Sequence, residues 1–249
     1  MRRILLVTGL LAALAAGPAL ADQVLTIAHH TDALTMMGHT TPAQDATQEY
    51  WFGDQGVRYD LGDTSVIMRP DQKKLYFLNN VDKTYSALDL PIDFNKLVSP
   101  DMAPMMQQMM SMMKSSATVT PTDQTGKYAG FACKVYQVQI SMAMTQMTLD
   151  ECLTQDLPID YTRYKSLAES QAEMLPNMQW MKDITEKLKG FPVHTDSTTT
   201  VMGKQVKGWQ ELKSVENRAP APGFYEPPAG YKEVAYDPMK QMQRGHPQR

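Results

Sequence analysis

Between residues 49 and 91 the chain is cut into short alternating segments. Glu49 to Phe52 ends at Gly53-Asp54-Gln55-Gly56, and Val57, Tyr59 and Leu61 then alternate with Arg58 and Asp60. Gly62-Asp63 precedes Ser65–Arg69, Pro70-Asp71 precedes Lys74–Leu78, Asn79-Asn80 precedes Thr84–Leu88, and Pro91 closes the series. Alternation with period two marks half-buried strands, and turn signals at intervals of about eight to twelve residues mark a sheet built from hairpins. This pattern predicts an antiparallel meander. Val24 to Met37 is expected to add a strand or hairpin arm ahead of it.

Pro100 opens a different regime. Met102, Met105, Met106, Met109, Met110 and Met113 recur at helical spacing, with Gln107, Gln108, Ser111 and Lys114 on the other side. The spacing predicts an amphipathic helix whose apolar face is almost wholly thioether. Burying a methionine costs about 1.5–2 kcal/mol of rotamer entropy, against about 0.5–1 for leucine. Six such positions add up to ~5 kcal/mol relative to leucines, where a domain's whole stability is ~5–15 kcal/mol. A static core is better built from leucine and isoleucine. Methionine suits a surface that adapts to different shapes.

After this helix, Cys133 to Ile140 alternates well, and Met147 to Leu153 is expected to return antiparallel. Pairing Cys133 directly with Cys152 places the turn at Met142-Ala143, between the two runs. A second helical zone spans about 160 to 189, with Met174, Met178 and Met181 on its apolar side, a kink at Pro176, and a stop at Gly190 and Pro192. Val193–Val201 and Gln205–Val215 form a hairpin across Met202-Gly203-Lys204. Pro222 to Tyr231 makes a Pro/Gly-rich final edge, and residues 237–249 are expected to form a flexible tail.

The N-terminus bears on the compartment. Arg2 and Arg3 precede an apolar run from Ile4 to Ala16, then Gly17-Pro18 and the small residues Ala19-Leu20-Ala21. This reads as a signal peptide, residues 1–21, cleaved after Ala21. The run is too short to span a bilayer, and Asp22 is not a lipidatable cysteine. The expected product is a soluble periplasmic protein with one domain at 22–236 and no transmembrane segment. In an exported chain the pair Cys133 and Cys152 suggests a disulfide, the alternative being two buried thiols. The full chain has 24 basic and 27 acidic residues, with no basic block, which argues against a nucleic-acid partner.

No G-x-S-x-G elbow, H-E-x-x-H, phosphate-binding glycine loop or C-x-x-C is present. The histidines at 29, 30, 39, 194 and 246 are scattered, and His29 and His30, as neighbours on a strand, face opposite ways. The chain is therefore expected not to be an enzyme and to need no cofactor.

The order of signal peptide, meander, Met-rich helix, hairpin, second helix, hairpin and closing P-G-F-Y-E-P-P-A-G-Y resembles a family of exported Gram-negative proteins classed as a domain of unknown function. The phrases Y-D-L-G-D-T-S-V-I-M-R (59–69), K-L-Y-F-L-N-N-V-D-K-T-Y-S (74–86) and D-L-P-I-D (156–160) look like it too. The architecture is similar to the LolA-like lipoprotein carriers of the periplasm. That resemblance implies an α+β fold in which a curved antiparallel sheet, an open half-barrel, is covered by two helical segments over an apolar cavity.

Three functions remain open. The first is a binding protein for a lipid-like amphiphile, with Met102, Met105, Met106, Met109, Met110 and Met113 as a lid and Met174, Met178 and Met181 as a second wall. The second is Cu(I) binding by thioethers, with Met142, Met144 and Met147 as a further cluster, although no histidine or cysteine accompanies either set. The third is a structural role, as core packing or as a face that docks a periplasmic protein partner.

Overall fold

The computed structural model describes residues 21–36, 38–93, 97, 104, 115–142, 145–173 and 184–237. Its main feature is one curved, unclosed twelve-stranded sheet in the order β14-β8-β7-β6-β5-β4-β1-β13-β12-β11-β10-β9. The strands are β1 (Asp22–Thr31), β4 (Gln44–Phe52), β5 (Val57–Leu61), β6 (Thr64–Arg69), β7 (Lys74–Asn79), β8 (Thr84–Asp89), β9 (Ser115–Tyr128), β10 (Phe131–Met142), β11 (Thr145–Thr154), β12 (Phe191–Val201), β13 (Lys204–Arg218) and β14 (Lys232–Glu233). A small hairpin of β2 (Leu34–Met36) and β3 (His39–Thr41) stands apart. The α+β open half-barrel expected from the sequence is the observed fold, and the hairpin strands 57–61, 64–69, 74–79 and 84–89 fall where the turn signals put them.

Two meanders meet at one strand. β4 to β8 runs outward in sequence order, β13 back to β9 runs outward on the other side, and β1 is hydrogen-bonded to both β4 and β13. β1 reaches β13 closely at Gly208, where a Cβ would lie 2.7 Å from the His30 carbonyl oxygen, so only glycine fits. The β12–β13 hairpin turns at Met202 (φ 50°) and Gly203 (φ 80°), and the β9–β10 hairpin at Ala129 (φ 48°) and Gly130 (φ 89°). Two central residues at positive φ match the right-handed twist of the flanking strands.

Alternation along β1 divides the core. Leu25 and Ile27 point to the inner face, where Phe52, Tyr59, Val66, Met68, Val193 and Leu212 are buried with them. Val24 points to the outer face opposite Trp51, in a smaller cluster with Ile67, Leu78 and Tyr225. Helix α1 (Tyr161–Glu173) lies on the inner face. Asp160 caps it: Oδ1 accepts from the backbone N–H of Thr162 (2.9 Å) and Arg163 (3.2 Å). The helix presses Leu167 and Tyr164 onto the sheet, with Tyr164 against Phe52 and Phe191, and Ser170 Oγ reaches Met68 Sδ at 3.8 Å.

The final Pro/Gly-rich stretch is not an edge, as expected, but a strap across the outer face. It is built of consecutive turns (Phe224 N–H to Ala221, Glu226 N–H to Gly223, Tyr231 N–H to Pro228), so its aromatic side chains, not a hydrogen-bonded ladder, attach it. Arg58 donates to the Phe224 carbonyl (2.9 Å) and lies 4.4 Å from the Phe224 ring centre, while Phe224 rests on Trp51. Tyr225 donates to Asp22 Oδ2 at 2.6 Å, both groups being buried. Beyond the strap, β14 pairs in parallel with β8.

The disulfide Cys133–Cys152 is formed, with Cα atoms 5.2 Å apart. The register behind it differs from the expected one. Val135 is opposite Cys152 and Met142 opposite Thr145, so the hairpin turns one residue later and the two cysteines are diagonal neighbours. Bulges beside Lys134–Tyr136 and Cys152–Leu153 accompany this, and the sulfurs lie against Gly126 of β9.

Candidate functional site

The methionines named as ligand contacts, Met102, Met105, Met106, Met109, Met110, Met113, Met174, Met178 and Met181, lie outside the described residues, as do Met144, the kink expected at Pro176 and the tail from residue 238. The described inner face supplies the floor they would cover. On it, register brings one polar row across an otherwise apolar surface. Tyr136 of β10 is opposite Glu151 of β11, Glu151 opposite Thr195 of β12, Thr195 opposite Gln210 of β13, and Gln210 opposite His29 of β1.

The rows on either side are greasier. Towards α1 stand Val193, Leu212 and Ile27, with Phe191 and Tyr50 further on. Towards the other end stand Val138 opposite Leu149 and Ile140 opposite Met147, with Val138 and Ile140 buried. Partial hydrogen bonding holds the row. Gln210 Nε2 donates to Thr195 Oγ1 (3.2 Å), and Tyr50 donates to Gln48 Oε1 (3.3 Å), beside His29. His29 Nε2 is buried and has no partner.

Titration of these groups reports their surroundings. Burial raises the Glu151 carboxyl to about 7, with no cation among the described residues offsetting it. Burial also raises Tyr164 and Tyr50, the Glu151 charge adding to the effect on Tyr164. Burial lowers His29, its hydrogen bond with Gln48 opposing that, so the ring is neutral near pH 7. Glu151, Tyr164 and Tyr50 are thus surrounded by protein. Each nevertheless keeps part of its surface open, as do Tyr136, Met147 and Leu149.

This row was legible in part. Met147, Leu149 and Leu153 alternate along β11, and Glu151 occupies the position between them where the period calls for an apolar side chain; His29 breaks the series Leu25, Ile27 in the same way. The scattered-histidine reading passed over that signal. The inference that His29 and His30 face opposite ways holds: His30 stacks on Trp209 and bonds Asp45 (2.7 Å), away from the row.

At the β8 edge, a groove of about 600 Å³ opens between Leu88, Ile92, Leu97 and Tyr236. Leu90, Ile92 and Leu97 pack on the inner-face core, so the chain leaving β8 begins along this face. Among the described residues, no helix is long and apolar enough to cross a membrane.

No curated protein matches the chain. The family model described as a domain of unknown function, DUF4412, matches residues 32–231, from the end of β1 through both meanders, α1 and the strap, and the chain belongs to that family.

Proposed function

We propose that the protein is an exported, non-enzymatic binding protein that holds a lipid-like amphiphile between the inner face of the half-barrel and a Met-rich lid, in the manner of the LolA-like carriers it resembles. The observation that carries this reading is the inner face itself: Tyr50 and Tyr164, desolvated by the protein around them, and the half-buried Leu149 and Met147 all still present open surface.

The topology supports the lid. β8 and β9 lie at opposite ends of the sheet, ten strand positions apart, and the chain between them is residues 90–114. At ~4.8 Å per strand the path along the sheet is roughly 50 Å, a distance about 25 residues can span. The strap occupies the outer face, and Leu90, Ile92 and Leu97 set out along the inner one. Met102 to Met113 make up the second half of that segment, and unbranched thioethers suit contact with different acyl chains. The disulfide suits an oxidising compartment such as the periplasm, and β1 begins at Asp22, the residue expected to follow cleavage.

Titrating delipidated protein with a fluorescent fatty-acid probe tests the reading. Saturable one-to-one uptake is expected, and Met106→Ser with Met109→Ser should weaken it by about a hundredfold or more, since each methionine face contributes about 1.5–3 kcal/mol when fully buried. No uptake, together with stoichiometric Cu(I) binding lost on Met→Leu substitution, would replace the amphiphile with copper.

A further inference from the structure

The polar row gives the inner face of the sheet a chemical preference. Glu151 stands at its centre, and among the described residues the groups facing it are Tyr136 from β10, Thr195 from β12 and Tyr164 from α1. Gln210 and His29 continue the row beyond Thr195. None of these is a cation at neutral pH, and no described lysine or arginine offsets the carboxylate's burial. Tyr136 and Thr195 carry hydroxyls that both donate and accept, and Glu151 is the one charged acceptor among these residues. Glu151 has two carboxylate oxygens. His29 Nε2 is buried without a partner, and the ring has a hydrogen bond with Gln48. A buried carboxylate without a partner is costly, and a cation brought by a ligand supplies what the protein omits. Apolar rows on both sides fix where the rest of such a ligand lies: Ile27, Val193 and Leu212 on one flank, Val138, Leu149 and Met147 on the other.

We propose that Glu151, with Thr195 beside it, is a head-group site for the ammonium group of an amphiphile whose chain lies along the adjoining apolar rows. The inference rests on the amphiphile reading above and narrows its ligand class. Anionic heads are disfavoured by like charge, and uncharged heads are accepted without the ion pair. The preference weakens in acid, where Glu151 is protonated, since no other described group facing the site changes charge there except His29, whose protonation adds a repelling cation.

Calorimetric titration of delipidated protein with decylammonium, decanol and decanoate at pH 8 tests this. Decylammonium is expected to bind at least tenfold more tightly than decanol, with decanoate weakest. Glu151→Gln should bring decylammonium to within about twofold of decanol. At pH 5.5 the wild-type protein should lose most of the preference, an arm that needs no variant. If decylammonium binds no better than decanol, or if Glu151→Gln and acid leave its advantage intact, the head-group site is wrong while the amphiphile reading stands. If none of the three binds, both fall.

Discussion

Two carboxylates define the molecule at the scale of single residues, and their partners differ. Asp22 is buried and receives the Tyr225 hydroxyl at 2.6 Å. Removing that hydroxyl with Tyr225→Phe leaves the Asp22 carboxylate buried without its donor, and should cost about 1.5–3 kcal/mol in denaturant unfolding at pH 8. Glu151 has no such donor among the described residues, and burial raises it to about 7 from an ordinary 4.5. Between those values the native state holds the proton more tightly than the unfolded chain, so this group's contribution to stability falls as pH rises through the window and is constant above it. The difference converts to at most about 3 kcal/mol. Delipidated Glu151→Gln should therefore be more stable than wild type at pH 8, by up to that amount, and indistinguishable from it near pH 4.5. Asp22 is also raised, by burial, and shifts both proteins alike, so their difference is the readout. Equal stabilities at pH 8 would mean that Glu151 is solvated.

At the scale of elements, local chemistry explains what the sequence revealed and what it hid. The β5–β8 hairpins were legible because each carries its own turn residues and a period of two. β9 was not. Pro121 and Gly126 interrupt it, and a strand containing both is tolerated here because β9 is an edge strand with a bulge opposite Lys134–Tyr136. The disulfide pairing was correct while its register was not, since no glycine or asparagine pins the Met142–Thr145 turn and cysteines bridge diagonal as well as direct neighbours. The strap was misread because Pro and Gly forbid a central strand but do not say which face the chain crosses. The polar row lay in the wrong-parity residues Glu151 and His29, a signal that acquires meaning only when register sets them side by side. The bridge closes a loop of sequence separation 19 and should contribute about 3 kcal/mol. Reduction, or Cys133→Ser with Cys152→Ser, is expected to lower the unfolding midpoint accordingly. An unchanged midpoint would show that the β10–β11 register holds without it.

At the scale of the whole molecule, one sheet is used on both faces for different ends. The outer face is closed by the strap through Phe224, Tyr225 and Arg58. The inner face keeps its polar row and its reachable aromatic surface beneath α1. Both meanders depend on β1, so the two ends of the half-barrel are coupled through its centre. This division assigns stability to the outside and, on the reading proposed, binding to the inside. The most direct measurement is native mass spectrometry of the protein purified from the periplasm without detergent or lipid extraction. The account predicts a mature chain beginning at Asp22, with its disulfide intact and a single non-covalent adduct of lipid mass, removed by solvent extraction and restored by adding an amphiphile. A bare chain that neither carries nor regains an adduct would contradict it.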